Sequence, residues 1–369
     1  MRRPPLAVLL IAAAAIWLPS LHLFYDADRT RIADGLATRR TRETEPMRRV
    51  NPEWDFMART YTVLALANRA LVRPDERPRD LAAIDAVIDE TLGDDDHFGA
   101  EFFLLPYARE RRFLDPETHS LFVDGEIIMM IAARELVAPR EGMLPIARKR
   151  AERVRRTMER SPSLSAESYP DDCWTFCNTT ALAALAMLDR VDGTDHAPLA
   201  RAWVAYAREH LVDRDTGILV SRYGYDGRVF EGPEGSTIWM SAHNLLVVDE
   251  DFARDQYARA RRELGASFLG FGWAREWPRS APERPDVDSG PIVPFLGASA
   301  GSSGLALLGA SAFGDDAWLS QLLASLELAA YPDGAKFQAS NDVGDAVLFY
   351  ALSYGPLFAR VRETRTVQR

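Results

Sequence analysis

Both cysteines of this 369-residue chain lie close together, at Cys173 and Cys177. Two carboxylates, Asp171 and Asp172, precede them, and Trp174 lies between them. Residues four apart share one face of an α-helix, so this spacing predicts two thiols on the same helix face. Thiols beside carboxylates and an indole are typical of the wall of a reactive pocket.

Each of these residues also has a plain structural explanation. Ser168 and Asp171 have the spacing of a capping box at the start of a helix predicted over Asp171–Leu188. Buried cysteines are commonly inert. A helix N-terminus lowers the pKa of a nearby thiol, which favours Cys173 over Cys177 as the reactive group. Cysteines four apart on a helix suit a disulfide poorly, so we expect free thiols.

A second pair of acids, Asp124 and Glu126, opens an apolar run. Side chains two residues apart diverge on a helix, so we expect one carboxyl at the helix surface and the other inside. Glu126 is the better candidate for the interior; the alternative is that it lies at a solvated helix start. A buried carboxyl has a raised pKa and can donate a proton near neutral pH, as acid-catalysed dehydration requires.

Other candidates are weaker. Trp239 and His243 lie four apart in an apolar stretch, where a lone histidine is most often hydrogen-bonded and structural. Glu276 and Trp277 precede a Pro-rich loop and suit either a sugar or terpene pocket or surface packing. The sequence has no His-Glu-x-x-His motif, no zinc-ligand spacing and no Gly-x-Ser-x-Gly elbow, so we expect no metal.

Composition and charge narrow the class of protein. The chain is 47% apolar and 27% charged, which is ordinary for a globular protein with a large core. Its net charge of −10 disfavours nucleic acid as a partner, because phosphate binding needs a basic face.

The N-terminus carries an apolar run from Leu6 to Tyr25, long enough to cross a bilayer. No small-x-small cleavage site follows it, which favours an uncleaved anchor over residues 1–25 rather than a signal sequence. The arginines that follow would keep the globular part in the cytoplasm, whereas an N-terminal leader usually exports it. We expect the periplasmic side, slightly favoured over the cytoplasmic one. Residues 26–50 are polar and Arg-rich and predict a linker.

From Asn51 onward, apolar residues recur at helical spacing. The spacing predicts helices in pairs, joined by loops too long for a simple bundle. We therefore predict an all-α fold over residues 51–362: an α/α barrel (toroid) of about six helix hairpins, with long loops at one mouth. The predicted helices after the first are Leu81–Leu92, Glu117–Val137, Leu144–Arg160, Asp171–Leu188, Pro198–Leu211, Thr237–Val248, Asp251–Leu264, Gly297–Ala310, Asp315–Leu328 and Gly344–Val361.

Four sequence segments together resemble the linalool dehydratase/isomerase family. They are Tyr169-Pro-Asp-Asp-Cys-Trp-Thr-Phe-Cys-Asn-Thr-Thr-Ala-Leu-Ala-Ala-Leu, Asp189-Arg-Val-Asp-Gly-Thr-Asp, Ala202-Trp203 and Leu211-Val-Asp-Arg-Asp-Thr-Gly. The resemblance implies an α/α-barrel enzyme of monoterpene alcohols that needs no cofactor. It also implies homo-oligomers, export from the cytoplasm and a small apolar substrate.

The resemblance also implies site residues. One of the family's two cavity thiols falls on Cys177, and the other falls on Ser168. Glu126 takes the place of the family's catalytic histidine. Asp55 and Tyr61 are the counterparts of an aspartate and a tyrosine near the N-terminal helices.

Three functions remain open from the sequence. The first is a cofactor-independent lyase or isomerase of an apolar, terpenoid-like alcohol, with Glu126, Cys177, Asp55 and Cys173 as catalytic residues. Its substrate contacts would be Tyr61, Asp172, Trp174, Trp239, His243, Glu276 and Trp277. The second is a carbohydrate-active hydrolase or lyase that pairs Asp124 or Glu126 with Glu276 or Asp288. The third is a membrane-tethered binding protein without activity.

Overall fold

The fold is taken from a computed structural model that describes residues 5–38, 44–282, 286–287, 290–334 and 336–363. Within these residues the chain forms fifteen α-helices and ten short β-strands. The helices are α1 (Leu6–Ser20), α2 (Arg29–Thr38), α3 (Thr44–Val50), α4 (Pro52–Val72), α5 (Arg77–Phe98), α6 (Leu121–Val137), α7 (Met143–Arg160), α8 (Thr175–Asp192), α9 (Ala197–His210), α10 (Gly235–Leu245), α11 (Glu250–Glu263), α12 (Ala300–Phe313), α13 (Asp316–Ala329), α14 (Asp342–Ser353) and α15 (Pro356–Glu363). The strands are β1 (Cys173–Trp174), β2 (Arg222–Tyr223), β3 (Val229–Glu231), β4 (Gly265–Phe268), β5 (Phe271–Ala274), β6 (Asp286–Val287), β7 (Gly290–Val293), β8 (Ala298–Ser299), β9 (Pro332–Asp333) and β10 (Lys336–Phe337).

The even-numbered helices from α4 to α14 form a closed inner ring. Each packs against the next, and α14 packs against α4. Every residue of α6 is buried, as expected for a helix with neighbours on all sides. Outer helices instead bury one stripe; α7 buries Ala147, Ala151, Val154 and Met158 at helical spacing. The predicted all-α, α/α-barrel fold is confirmed.

The outer ring consists of α5, α7, α9, α11 and α13, with α2 in the sixth place against α14. This differs from the linker expected over residues 26–50. Helix α2 belongs to the folded body because Ile32, Leu36 and Ala37 bury their side chains. Met47 of α3 is buried as well.

The connections differ at the two ends of the ring. Those from inner to outer helices are short, at residues 73–76, 138–142, 193–196, 246–249 and 314–315. Those leading back into the inner helices are long, at residues 99–120, 161–174, 211–234, 264–299 and 330–341. The long loops therefore gather at the N-terminal ends of the inner helices, which we call the mouth.

Helix α15 lies across the opposite end of the ring, where it contacts α4, α6 and α8. The Leu357 N–H donates to Asn68 Oδ1 at 2.9 Å, and Arg360 donates to the Leu136 carbonyl at 2.6 Å. The sequence pattern predicts a single helix over Gly344–Val361. The structure breaks it because Gly355 has a φ of +137° and Pro356 cannot continue a helix hydrogen-bonding ladder.

The N-terminal apolar segment is helical. Helix α1 and the 3-10 turn Leu21–Phe24 make a 19-residue stretch, none of it buried. This stretch is long and apolar enough to span a membrane or to be a signal sequence.

Candidate active site

Helix packing near the mouth brings Glu126 and Cys177 together. Gly125 of α6 packs so closely on α8 that a Cβ there would lie 3.3 Å from Ala181. Glu126 follows this contact on α6, and Cys177 lies one turn before it on α8. Both side chains are buried, at 2% and 5% exposure, and the charge of Glu126 acts on the Cys177 thiol.

Glu126 is in an environment that disfavours its ionised form. Burial raises its pKa to about 8, and the nearby Thr60 hydroxyl opposes the rise only in part. Glu126 Oε2 and Thr60 Oγ1 have no hydrogen-bond partner of normal geometry among the described residues. The carboxyl is therefore mostly protonated at neutral pH, with one oxygen uncommitted.

Asp124 lies on the other side of α6. Burial alone would raise its pKa, but His119 and the guanidinium groups of Arg153 and Arg150 lower it to about 2. Arg150 Nη1 lies 2.7 Å from Asp124 Oδ1, and Arg153 Nε lies 2.7 Å from Oδ2. As predicted, the two carboxyls diverge, with Glu126 on the interior side.

The Cys177 thiol is poorly suited to be an anion. Burial raises its pKa, the carboxylate of Glu53 raises it further, and Glu126 adds to this rise once it is ionised. The Ser168 hydroxyl lies beside the sulfur and opposes the rise in part. Ser168 and Cys177 are the two positions that the family resemblance assigned to cavity thiols, and the structure brings them together.

Cys173 does not share a helix face with Cys177, contrary to the prediction, although the two thiols are close enough to interact. It belongs to β1, where it pairs with Tyr223 of β2, because α8 begins only at Thr175. Burial raises the pKa of Cys173. The predicted capping role of Ser168 is absent too: its N–H donates to the Asp172 carbonyl at 2.9 Å in a tight turn.

Asp55 faces the outer ring rather than the interior. Its carboxylate forms a buried ion pair with Arg59 at 3.0 Å, and Arg59 reaches Asp94 of α5 at 2.7 Å. An aspartate and an arginine four residues apart favour each other on a helix surface, which turns both toward α5. Asp55 is therefore an unsuitable catalytic candidate.

Sequence reasoning missed Glu53, the acid of α4 whose charge acts on Cys177. Glu53 Oε1 accepts a short hydrogen bond from the Tyr169 hydroxyl. Tyr169 also accepts a 2.9 Å hydrogen bond from the Leu105 N–H and stacks on Tyr107, with ring centroids 4.4 Å apart. The spacing could have revealed it: Glu53 and Thr60 are seven apart and share a helix face, whereas Asp55 lies on the opposite face.

Deeper in the ring, side chains fill the interior. The Tyr61 hydroxyl of α4 contacts the Met240 sulfur of α10, and its ring stacks on Tyr350, with centroids 5.9 Å apart. The Tyr350 hydroxyl lies 3.0 Å from His243 Nε2. Burial lowers the pKa of His243 to about 3, so this imidazole is neutral and structural. Its ring stacks on Phe358 of α15 at 4.6 Å.

Two of the other predicted contacts lie on the mouth loops. Asp172 pairs with Arg222 at 3.2 Å, and the Arg222 guanidinium lies 5.7 Å from the centre of the Trp174 ring. Burial raises the pKa of Asp172, while Arg222 opposes the rise. These residues stabilise the turn that leads into α8.

The remaining predicted contacts point away from Glu126. The Trp239 indole donates to Ser302 at 3.0 Å and packs on Trp318 of the outer ring. Glu276 accepts from the Ser236 N–H at 2.9 Å and from the Ser299 hydroxyl at 2.6 Å. It therefore ties the starts of α10 and α12 together and has no free oxygen for catalysis. Asp288 lies outside the described residues.

Two cavities, of about 280 and 430 Å³, lie among the mouth loops of the described chain. Trp277 lines the smaller one, and neither is lined by Glu126 or Cys177. No group of three or more potential metal ligands occurs among the described residues.

Comparison with known protein families identifies the family of this sequence. The family model for linalool dehydratase/isomerase matches residues 147–342. The chain belongs to the linalool dehydratase/isomerase family. Membership suggests a lyase or isomerase. The match spans α8 and the mouth loop before it, the most specific part of the sequence resemblance.

Solved structures share the fold at low sequence identity. A variant of UGL with dGlcA-Glc-Rha-Glc has a TM-score of 0.54 and 13% identity, covering 79% of this chain and 84% of that one. The unsaturated glucuronyl hydrolase of Bacillus sp. GL1, responsible for the degradation of glycosaminoglycan, has a TM-score of 0.50 and 12% identity over the same shares. These similarities support the α/α-barrel fold, and at this level of identity they say nothing about the substrate of this chain.

Proposed function

We propose that the protein is a cofactor-independent lyase or isomerase that dehydrates or isomerises a small apolar, terpenoid-like alcohol. Glu126 is the general acid. The observation that carries this proposal is the state of Glu126: a buried, largely protonated carboxyl with one uncommitted oxygen, close to Cys177 and on the interior side of the ring. Family membership points to the same reaction class.

In the proposed reaction, Glu126 transfers its proton to the substrate hydroxyl. The C–O bond then breaks, water leaves and an allylic cation remains. Glu53, which already accepts a hydrogen bond from Tyr169, takes a proton from the carbon next to the cation and leaves a diene. In the isomerisation, water adds at the other end of the allylic system and loses its proton to Glu53. A proton returned from Glu53 to Glu126 restores the starting state in both cases.

Aromatic rings beside the acid would stabilise the cation. Phe122 lies one turn before Glu126 on α6, and Phe176 precedes Cys177 on α8. Their ring centroids are 6.3 Å apart, and both side chains are buried. Aromatic faces attract cations most strongly where water is excluded. Cys177, held as a neutral thiol, contributes apolar lining and a weak hydrogen-bond donor.

Substrate must pass the mouth loops to reach Glu126. Loop 99–120 is fastened to loop 161–174 through the Leu105–Tyr169 hydrogen bond and the stacking of Tyr107 on Tyr169. Opening of this contact would admit the substrate, and closure would exclude water from the cation.

The carbohydrate alternative has less support. Its sequence candidates were paired carboxylates, yet Asp124 is paired with arginines, and both oxygens of Glu276 accept hydrogen bonds, from the Ser236 N–H and the Ser299 hydroxyl. The shared fold brings no residue with it at this level of identity. If the folded protein turns over no alcohol, the hypothesis of a binding protein without activity would be favoured.

The test is incubation of the full chain in detergent or lipid with C10 and C15 allylic alcohols, followed by gas chromatography. Loss of a general acid typically costs 10²–10⁴-fold in rate, so Glu126→Gln should lower kcat by about that factor. Glu135→Gln, on the same helix but two turns further from the mouth, is the matched control. Glu53→Gln and Tyr169→Phe test the proposed base and its hydrogen bond. Turnover that survives Glu126→Gln would refute the proposal, as would a folded wild type inactive on every alcohol.

A further inference from the structure

The end of the N-terminal apolar stretch rests on the β4–β5 hairpin. Gly270 at the hairpin turn has a φ of +85°, and a Cβ there would lie 2.1 Å from His22 Cγ. The Phe271 ring makes edge contacts with His22 and Tyr25, with centroid distances of 6.5 and 5.9 Å. The point where the helix would leave a bilayer therefore coincides with this turn.

The residues that follow the apolar stretch are bound to the barrel next to this hairpin. Arg29 lies 3.2 Å from Asp316 and 2.9 Å from the Ser320 hydroxyl on α13. Arg31 donates to the Gly334 carbonyl at 2.6 Å, and Ile32 is fully buried. Only a few residues separate the apolar stretch from a helix packed on the ring, so the barrel has a fixed orientation relative to the stretch.

A second apolar loop lies on the same side of the hairpin. The Trp273 indole, two residues after Phe271 on β5, donates to the Leu296 carbonyl at 3.1 Å. Alternate residues of a strand share a face, so the 3-10 turn Leu21–Phe24 and the loop of residues 294–297 cover one face of β5. Leu269 and Phe295 both have positive φ, at 49° and 66°, where turns favour glycine or asparagine.

Large apolar side chains are exposed around this point. Leu23 and Phe24 are each 68% exposed, Phe268 is 67% exposed, Leu296 is 47% exposed and Phe295 is fully exposed. We call these five residues the apolar rim. Contiguous exposed apolar surface in a folded protein marks a contact site, because water makes its exposure costly.

We propose that the apolar rim is a second membrane contact, inserted into the headgroup and upper acyl region of the bilayer that α1 crosses. The partner is the lipid bilayer because the rim continues directly from a membrane-length apolar helix. Aromatic side chains are favoured at this depth. The barrel is then held flat against the membrane rather than hanging from a flexible tether.

The test uses the full chain in phosphatidylcholine–phosphatidylglycerol nanodiscs, spin-labelled at a single introduced cysteine. Both native cysteines are buried, so the unmodified chain measures background labelling. Labels at Phe295→Cys and Phe268→Cys should be relaxed more by O₂, which partitions into lipid, than by the water-soluble nickel chelate NiEDDA. Val72→Cys, at the C-terminal end of α4 and 60% exposed, lies at the end of the ring opposite the mouth; it is the matched control and should show the reverse ratio.

Two results would overturn the proposal. One is a ratio of O₂ to NiEDDA relaxation at residues 295 and 268 equal to that at residue 72. The other is mass spectrometry of the protein purified from membranes showing that the apolar stretch has been removed. Because exposed positions tolerate labels, circular dichroism of each variant should match the wild type and confirm that the comparison concerns folded protein.

Discussion

The burial of Glu126 makes a prediction about stability that needs no substrate. In the unfolded chain the carboxyl has an ordinary pKa near 4.5, and in the folded protein the pKa is about 8. Between these two values the folded state binds more protons than the unfolded state, so stability falls as pH rises. The contribution of Glu126 is fully present below pH 4.5 and is lost as pH rises through about 8.

The size of the effect follows from the shift. One pKa unit corresponds to 1.36 kcal/mol, so raising the pH from 5 to 8 should remove about 3 to 4 kcal/mol of unfolding free energy through this group. Glu126→Gln keeps the shape of the protonated form and does not titrate. The difference in stability between wild type and Glu126→Gln should therefore change by that amount across this range.

Urea unfolding followed by tryptophan fluorescence at several pH values measures this difference. Comparing pH slopes, rather than absolute stabilities, removes the constant cost of placing an amide at this site. Glu209→Gln, at a side chain 77% exposed, is the control and should run parallel to the wild type. Parallel curves for Glu126→Gln would show that residue 126 is hydrated and would refute both the raised pKa and the proposed acid.

Three further outcomes are expected. Cys177→Ala should lower turnover, while Cys173→Ala should leave turnover within about twofold of the wild type. Both native thiols are buried and have raised pKa values, so they should resist alkylation by iodoacetamide until the protein unfolds. Asp55→Ala should destabilise the fold by about 3 kcal/mol, because it removes one buried partner of Arg59, while activity per folded molecule, measured by gas chromatography, persists. The pKa of His243 lies near 3, so the wild type should lose stability relative to His243→Gln as pH drops below 6.5, when the free energies of urea unfolding of the two proteins are compared at each pH.

The helical spacing of apolar residues was enough to predict the α/α-barrel architecture. Long loops alternating with tight turns predicted hairpins with a mouth, and the divergence of Asp124 and Glu126 followed from helix geometry alone. The features that the sequence did not predict depend on contacts between segments that are distant in the chain. Nothing local shows that residues 168–172 would fold into a turn, so that α8 begins only after Cys173 and the two cysteines do not share a helix face.

The N-terminal part of the chain teaches a similar lesson. Residues 26–50 are polar enough to predict a linker, yet a few apolar side chains such as Ile32 suffice to seat α2 in the outer ring. Asp55 was chosen by family position, while its contact with Arg59 could have been read from their spacing. Glu53 needed the structure, because its partner Tyr169 lies far away in the sequence.

Helix α15 covers the end of the barrel opposite the mouth. In the proposed reaction, substrate, product and expelled water would then all pass the mouth loops. If the proposed reaction takes place there, product that accumulates outside the mouth would compete with substrate for this route, and turnover is expected to slow.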